Sequence, residues 1–287
     1  MALQWSKAME ALHSAGVADL VQRDPRTDWD DDRRVSLGYP FETIRTDVVK
    51  HGLADFNEGY RSEFGELSAD DKVLLYCYVY LKLHFFETLA TFRHYKQSID
   101  VMFNSQRAGL MIDMGCGPGT AGLALADCLS VPKLSYYGLD RAKPMLRKAK
   151  SLLTAAVDTG LLHKETKIGA TSSWSILHHN ITSMKTPCNV HVNATYLFAS
   201  ASLVVEDVCS VVNHLIDNPN VKEVVFTFLN SAAAQKSAKF RQFVKISHGK
   251  FSADEPQNVT IEYHKKRNGQ SIAQATFVRQ LLKFKEV

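Results

Sequence analysis

The sequence predicts an α/β protein built on a mostly parallel sheet, preceded by a helical region. From about residue 109 onward, short apolar runs alternate with helical patterns, which is typical of strand–helix–strand units. At the end of the chain, two apolar runs flank Asn268-Gly269, a pair that suits a tight turn and predicts an antiparallel hairpin. The expected strands are residues 110–114, 134–139, 175–178, 190–195, 221–229, 259–264 and 273–284.

The first 108 residues predict helices separated by polar loops. Ser68 and Asp71 have the spacing of a capping box, so a long helix is expected from there to about His94. Its apolar side chains lie nearly all the way round, which indicates burial against the main domain, in a partner protein or in a second copy of the chain. We therefore divide the chain into a helical N-terminal extension, residues 1–108, and a second domain, residues 109–287.

The composition is that of a folded protein from a reducing compartment. The hydrophobic content of 45% is enough to form a core. The 5 cysteines include no C-x-x-C pair, so they favour neither a disulfide framework nor a zinc site. We expect no secretion signal, membrane span or metal centre, and a cytoplasmic location. The net charge of +4 conceals a basic C-terminal block, residues 231–287, with 11 Lys and Arg against 4 Asp and Glu.

A glycine-rich turn follows the first expected strand. Residues 113–119 read Asp-Met-Gly-Cys-Gly-Pro-Gly, and glycines at alternate positions let a ligand lie against the backbone. The helix that follows directs free N–H groups and a positive dipole end towards the turn. The dinucleotide fingerprint G-x-G-x-x-G does not fit, because Thr120 stands at its third glycine. A tight turn without a ligand is the structural alternative.

This D-x-G-x-G-x-G segment resembles the first motif of class I S-adenosylmethionine-dependent methyltransferases. The resemblance implies a Rossmann-like sheet of seven mostly parallel strands that ends in an antiparallel hairpin, and S-adenosylmethionine as the cofactor. It also implies that Asp113 orients the turn and the cofactor's amino group. The cofactor's methionine part is then expected to contact the turn at Gly115, Cys116, Gly117 and Gly119.

A second acidic residue agrees with the resemblance. Asp140 ends the second expected strand, where a carboxylate can accept two hydrogen bonds from a ribose diol. In the resembled superfamily this acid binds the ribose hydroxyls. Arg141 and Met145 follow on a helix with Pro144 in its first turn. Met145 is expected either beside the adenine or in ordinary core packing.

The adenine edge is expected after the third strand. The superfamily commonly has an acidic residue followed by an apolar one there, and this sequence offers Asn180 and Ile181. The Asn180 carbonyl can accept a hydrogen bond from the adenine amino group. The alternative is that Asn180 is an ordinary loop residue.

The end of the fourth strand is expected to face the transferred methyl group, because ligands collect at the carboxyl ends of parallel strands. Asn193 and Tyr196 have the spacing of the N-P-P-Y motif of amino-group methyltransferases, where asparagine holds the target nitrogen, but both prolines are missing. A junction with cofactor-contacting side chains is the alternative. His191 is a candidate general base unless strand alternation points it into the helix layer.

Three functions remain open from the sequence. A nucleic-acid methyltransferase, acting on RNA above all, is favoured by the basic C-terminal block, in which Lys265, Lys266 and Arg267 would contact phosphate. A small-molecule methyltransferase would close its N-terminal helices over the cofactor. Tyr60 is a candidate contact to the cofactor, and an aromatic residue of a surface loop is the alternative. A cofactor-binding, non-catalytic subunit would instead stabilise a partner protein.

Overall fold

In the computed structural model, the described residues form one mixed sheet with helices on both of its faces. This arrangement confirms the predicted α/β class and the antiparallel strands at the end of the chain. The described residues are 2–24, 56, 68–104, 108–129, 134–247, 249–264 and 272–284.

The sheet has five parallel strands followed by three antiparallel ones among the described residues. Their order across the sheet is β3-β2-β1-β4-β5-β8-β6, and β7 also pairs with β8. Because β1 to β5 run parallel, their carboxyl ends share one edge of the sheet. The strands are β1 Ala108–Met114, β2 Ser135–Leu139, β3 Lys167–Thr171, β4 Cys188–Thr195, β5 Val221–Ser231, β6 Phe251–Ala253, β7 Gln257–His264 and β8 Ile272–Phe284.

Strands β6 and β7 together occupy the place of one strand. Both pair antiparallel with β8, on the side opposite to β5. Ala253 pairs with Leu282, and Gln257 pairs with Arg279. Residues 254–256 lie between the two paired positions on the β6–β7 side, whereas β8 has only residues 280 and 281 there, so the β6–β7 side has one extra residue. Such an extra residue defines a bulge, and Pro256 within it has no N–H to donate. The predicted seven-stranded arrangement is therefore present, with its edge strand divided in two.

The helices form an N-terminal group and a group that connects the strands. Single π-helical turns at Ser14–Ala18 and Cys77–Leu81 join α1 to α2 and α3 to α4, and a short 3₁₀ turn, Leu197–Ala199, follows β4. The helices are α1 Lys7–His13, α2 Asp19–Gln22, α3 Ala69–Tyr76, α4 Lys82–His94, α5 Lys96–Asn104, α6 Thr120–Leu129, α7 Lys143–Asp158, α8 Trp174–Thr182, α9 Val205–Asp217 and α10 Ala238–Ile246.

The long N-terminal helix formed by α3, the π turn and α4 begins where the sequence predicts. The Asp71 N–H donates to Ser68 Oγ at 3.2 Å and the Ser68 N–H donates to Asp71 Oδ2 at 2.8 Å, which completes the capping box. By length and composition alone, residues 69–94 could cross a membrane, although half of the most apolar window is buried inside the protein. Phe85, Phe86 and Phe92 are fully buried. The helix thus packs on the sheet domain as a core helix does.

Two apolar cores lie on the two faces of the sheet. The N-terminal helices, α6 and α7 cover one face, and Met9, Val73 and Phe85 share that core with Met111 of β1. Helices α8, α9 and α10 cover the other face. The chain near its N-terminus also joins the edge of the sheet, because the Leu3 N–H donates to the Glu262 carbonyl of β7 at 2.8 Å.

The predicted strand at residues 175–178 is wrong, and this segment belongs to helix α8. The hydroxyl of Ser173 accepts a hydrogen bond from the Ile176 N–H at 3.4 Å and so caps the helix. The third strand lies earlier, at Lys167–Thr171, on the edge of the sheet. Because β3 is largely exposed, it lacks the continuous apolar run by which the central strands were identified.

The ring pair Phe228–Phe240 tests the second core. The rings stack at 3.5 Å between centroids, and Phe240 is buried. We expect Phe240→Ala to lower the free energy of unfolding by about 3–5 kcal/mol, because it removes apolar contact and leaves a cavity. Ile246→Ala, at a half-exposed position of the same helix, is the matched control and should cost far less. Urea unfolding followed by circular dichroism measures both, and equal losses would contradict this packing.

Candidate functional site

A cavity of about 320 Å³ opens at the carboxyl ends of the parallel strands. Gly115 and Gly117 line it from the turn after β1, and Asp140 lines it from the end of β2. Ser172 contributes from the end of β3 and Thr195 from the end of β4. Four strand ends therefore meet at one cavity, at the place where open parallel sheets bind ligands.

The glycine turn has the backbone conformation that its sequence predicts. Gly115, Gly117 and Gly119 all have positive φ, at 70°, 50° and 80°. A Cβ at Gly117 would meet no atom within 4 Å, so its left-handed φ is what favours glycine there. Gly119 instead lies against helix α7, because a Cβ there would approach Ala149 Cα to 3.3 Å. Of the three, Gly119 does not line the cavity.

Asp140 links the end of β2 to the glycine turn. Its Oδ2 accepts the Gly117 N–H at 2.9 Å and its Oδ1 accepts the Ala142 N–H at 2.9 Å. Burial raises the pKa of this carboxyl, and the two backbone donors oppose that rise. Each oxygen still has a lone pair free for a ligand, and the side chain lines the cavity. The carboxylate can therefore shape the turn and accept hydrogen bonds from a diol at the same time.

Asp113 lies beneath the turn, away from the cavity wall. Its carboxylate accepts the Tyr136 hydroxyl at 2.8 Å and the Asn193 amide at 2.8 Å. Burial raises its pKa to about 6, while these two hydrogen bonds act in the opposite direction. Asp113 thus connects β1 to its neighbours β2 and β4 by hydrogen bonds. If it orients the cofactor's amino group, as predicted, it would do so by holding the glycine turn in place.

Asn193 is not placed to hold a target nitrogen, and His191 has the second of its two expected placements, in the helix layer. Both are fully buried and neither lines the cavity. The Asn193 amide N–H donates to the Asp113 carboxylate. Its Oδ1 accepts hydrogen bonds from the hydroxyls of Thr195 and Thr227, at 3.2 Å and 3.1 Å. A target nitrogen therefore cannot reach its amide in this arrangement.

His191 is wrong as a general base for the same reason. Strand alternation turns it into the helix layer, where its ring meets Phe92 and Phe103 edge-on. Its Nε2 lies 2.9 Å from the Thr227 hydroxyl. Burial lowers its pKa to about 3, so the imidazole is neutral and structural.

Tyr196 is the predicted acceptor-side residue that does line the cavity. It follows β4 with a φ of 59°, a conformation uncommon for a bulky residue. Its N–H donates to the Leu229 carbonyl at 2.8 Å, and its hydroxyl donates to the Glu87 carboxylate at 3.0 Å. Two contacts therefore hold the ring at the end of β4 despite the cost of this backbone conformation.

Arg141 and Met145 both line the cavity, although Arg141 precedes helix α7 and only Met145 lies on it, and Arg141 also contacts another part of the wall. Arg141 Nη1 donates to the Ser202 hydroxyl at 2.8 Å. Lys239 Nζ donates to the carbonyls of Ser200, Ala201 and Leu203 at 2.7–2.8 Å. The segment of residues 200–204, which contributes to the cavity wall, is thus held from both sides.

Asn180 and Ile181 are wrong as adenine contacts, because the segment that carries them is helix α8. Asn180 donates to the Tyr137 hydroxyl, and the Ile181 carbonyl accepts the Asn218 amide at 2.6 Å. Ser172 and Trp174 line that side of the cavity instead.

Cys116 also lies outside the cavity wall. It is buried beside Gly138, where a Cβ would meet its sulfur at 2.8 Å, and burial raises the pKa of its thiol. Its side chain therefore packs in the core, while the neighbouring glycines face the cavity.

Several cavity residues escaped the sequence reasoning. Phe56 and Tyr76 come from the N-terminal region, more than 35 residues before the glycine turn, and no motif marks them. Lys265, Lys266, Arg267 and Tyr60 lie outside the described residues. Within the described ranges, no group of three or more His, Cys, Asp or Glu side chains is arranged to hold a metal ion.

The buried Asp113 carboxyl makes folding stability depend on pH. Its folded-state pKa of about 6 exceeds the value of about 3.9 for an unfolded aspartate. Between these two pH values the Asp113 carboxyl is protonated in the folded protein and ionised in the unfolded chain. The contribution of this proton to the unfolding free energy is fully present below about pH 4 and is lost as the pH rises through about 6. We expect the unfolding free energy of the wild type minus that of Asp113→Asn to fall over this range in urea titrations. A difference that does not change with pH would contradict this account.

No protein-family model and no curated protein matches the chain. Among solved structures, it is similar to precorrin-6y C5,15-methyltransferase from Geobacter metallireducens, with a TM-score of 0.42 and 14% identity over 68% of this chain and 87% of that chain. It is also similar to magnesium protoporphyrin IX methyltransferase from Synechocystis with bound SAM, with a TM-score of 0.39 and 14% identity over 88% of this chain and 97% of that chain. It is similar as well to an O-methyltransferase from Bacillus cereus in complex with SAH, with a TM-score of 0.41 and 11% identity over 70% of this chain and 80% of that chain.

The topology of the chain itself identifies the fold. Five parallel strands in the order β3-β2-β1-β4-β5, an antiparallel β8 beside β5, and a left-handed glycine turn after β1 occur together. The chain therefore has the Rossmann-like fold of the class I S-adenosylmethionine-dependent methyltransferases.

Proposed function

We propose that the chain binds S-adenosylmethionine in this cavity and transfers its methyl group to an acceptor. The observation that carries the proposal is the 2.9 Å hydrogen bond from the Gly117 N–H to Asp140, between two elements that line the same cavity. This hydrogen bond places two features side by side: a backbone that a ligand can approach closely, and a carboxylate with free acceptor positions.

The cavity residues fit the three parts of the cofactor. Asp140 would accept hydrogen bonds from the ribose diol, and the backbone of Gly115 and Gly117 would contact the methionine part. Met145 and Trp174 offer apolar surface to the adenine. The bound cofactor supplies a methyl group already activated by a positively charged sulfur. The chain itself then has to orient the acceptor, exclude water and take up a proton where the acceptor loses one.

A small-molecule acceptor is the class that the cavity favours. Phe56 and Tyr76 line it from the N-terminal region, and Tyr196 adds a third ring. A cavity lined by three aromatic rings suits a compact aromatic acceptor better than a large polymer.

A nucleic-acid acceptor is the second proposal, and the excess of positive charge in residues 231–287 favours it. Of that block, Lys239 is already bound to three carbonyls. Replacing Lys265, Lys266 and Arg267 with alanine should abolish salt-sensitive RNA binding if RNA is the acceptor. The same triple variant should leave the methylation of a small acceptor unchanged.

We also propose that the protein is located in the cytoplasm. All five cysteines are free and buried, which is consistent with a cytoplasmic location. Association with a partner protein or with a second copy through the N-terminal helices remains a prediction.

Calorimetry with S-adenosylhomocysteine, the demethylated product, tests cofactor binding. We expect the wild type to bind it and Asp140→Ala to bind about 10- to 100-fold more weakly, because hydrogen bonds from the ribose to a charged acceptor are lost. Asp158→Ala, an exposed aspartate on α7, is the control and should bind as the wild type does. Absence of binding by a folded wild type would overturn the proposal.

Transfer of a labelled methyl group identifies the acceptor class. Cell extract separated into RNA, protein and small-molecule fractions is incubated with the protein and labelled S-adenosylmethionine. We expect label in the small-molecule fraction, whereas label in RNA would favour the second proposal. Cofactor binding without label in any fraction would indicate a non-catalytic subunit.

A further inference from the structure

A second carboxylate, that of Asp207 in the first turn of α9, lines the cavity. Its side chain is partly exposed, and among the described residues no hydrogen bond or ion pair engages it. The carboxylate of Asp140, by contrast, already accepts two backbone N–H groups. Asp207 therefore offers the cavity a strong hydrogen-bond acceptor that no group among the described residues occupies.

Asp207 lies beside helix α8, which follows the edge strand β3. Helices α8 and α9 cover the same face of the sheet, and their side chains His178 and His214 meet at 4.2 Å between ring centroids. Burial and the neighbouring His214 lower the pKa of His178, and the negative charge of Asp207 opposes them, which places the carboxylate near α8. Trp174, another residue of the cavity wall, begins α8 one turn before His178. Asp207 and Trp174 thus reach the cavity from neighbouring helices.

The segment that leads into α9 is held in position. Three carbonyls of residues 200–204 accept hydrogen bonds from Lys239 at 2.7–2.8 Å, and the Ser202 hydroxyl accepts one from Arg141 at 2.8 Å. Val204 ends this segment, lines the cavity and is 52% exposed. An exposed apolar side chain near an unoccupied carboxylate suits a ligand with an apolar face and a polar edge, such as a planar base.

The proposed binding mode directs the base of the cofactor towards this wall. In the strand order β3-β2-β1, Asp140 ends the middle strand, with the glycine turn after β1 on one side and Ser172 after β3 on the other. The base and the methionine part are attached to opposite ends of the ribose. A methionine part at the glycine turn and a ribose at Asp140 therefore place the base towards β3 and α8.

The end of β3 itself offers the base no comparable acceptor. Residues 171–175 include no carboxylate and no amide side chain. The Thr171 hydroxyl oxygen accepts the Ser173 N–H at 3.1 Å, and the Ser173 hydroxyl accepts the Ile176 N–H at 3.4 Å as the cap of α8. A strong acceptor for the polar edge of the base must therefore come from another element of the wall.

We propose that Asp207 recognises the base of the cofactor: its carboxylate accepts a hydrogen bond from the amino group of the adenine, while Trp174 and Val204 contact the ring. The inference rests on the proposed function and deepens it, because it names the residue that distinguishes adenine from other purines. Asp207 is a specificity-determining residue and takes no part in the transfer of the methyl group.

The complementarity is between donor and acceptor. The amino group of adenine donates hydrogen bonds, and a carboxylate only accepts them. A purine with a carbonyl oxygen at this position would bring a second acceptor against the carboxylate. A purine with hydrogen there would leave the carboxylate without a partner inside the occupied cavity. The site should therefore prefer adenine to both.

Calorimetry with a pair of product analogues tests this contact. The pair is S-adenosylhomocysteine and the same compound with hydrogen in place of the 6-amino group. We expect the wild type to bind the first about 10- to 100-fold more tightly, because a hydrogen bond to a charged acceptor is lost in the second. Asp207→Ala should bind both with nearly equal affinity, because the acceptor is missing. Asp207→Asn keeps a carbonyl acceptor and should retain part of the preference.

Two further variants separate the base from the rest of the cofactor. Asp140→Ala should weaken the binding of both compounds by the same factor and leave their affinity ratio unchanged, because both contain the ribose. Asp217→Ala, at an exposed aspartate at the other end of α9, is the matched control and should equal the wild type in both affinities. Circular dichroism shows whether each variant is folded.

The outcomes distinguish the inference from the proposed function. If the folded wild type binds neither compound, the proposed function is overturned and the inference falls with it. If the wild type binds both equally, or if folded Asp207→Ala keeps the preference of the wild type, the inference alone is overturned. If Asp207→Ala does not fold, Asp207→Asn takes its place: a reduced preference supports the inference, and a full preference overturns it.

Discussion

The hydrogen bond between the Gly117 N–H and the Asp140 carboxylate is the interaction on which the site depends. It joins the turn after β1 to the end of β2, and both faces of that junction line the cavity. The turn can reach the carboxylate because its glycines adopt positive φ, which costs other residues energy. Together with the hydrogen bonds from the Gly115 and Cys116 N–H groups to the Leu139 carbonyl, at 2.7 and 3.0 Å, it holds the backbone that would cradle a cofactor beside the acid that would bind its ribose.

A second layer of polar contacts supports this junction from inside the sheet. Asp113 accepts hydrogen bonds from Tyr136 on β2 and Asn193 on β4, and so connects three strands at their carboxyl ends. A buried carboxyl without partners would be costly, whereas a satisfied one holds its neighbours in a single arrangement. Asn193 is therefore best understood as part of the frame of the site, even though its spacing resembles a catalytic motif.

The other wall of the cavity comes from a distant part of the chain. Helix α4 packs on the sheet through buried aromatic side chains, among them Phe85 and Phe92, and this packing carries Glu87 and His84 to Tyr196. The strand ends and the N-terminal region thus meet at one cavity, which Tyr76 of α3 lines directly, while Glu87 of α4 holds Tyr196 by a hydrogen bond.

The sequence by itself determined the strand, glycine turn and helix around residues 113–119, the acid at Asp140 and the C-terminal antiparallel strands, because each depends on neighbouring residues and their backbone preferences. It misplaced the third strand, since an exposed edge strand has little apolar signal, and Asn180 was misassigned with it. Only the tertiary structure decided that His191 points into the core and that Glu87 meets Tyr196 across 109 positions of sequence. Contacts of that kind follow from how helices pack on the sheet, which local pattern does not encode.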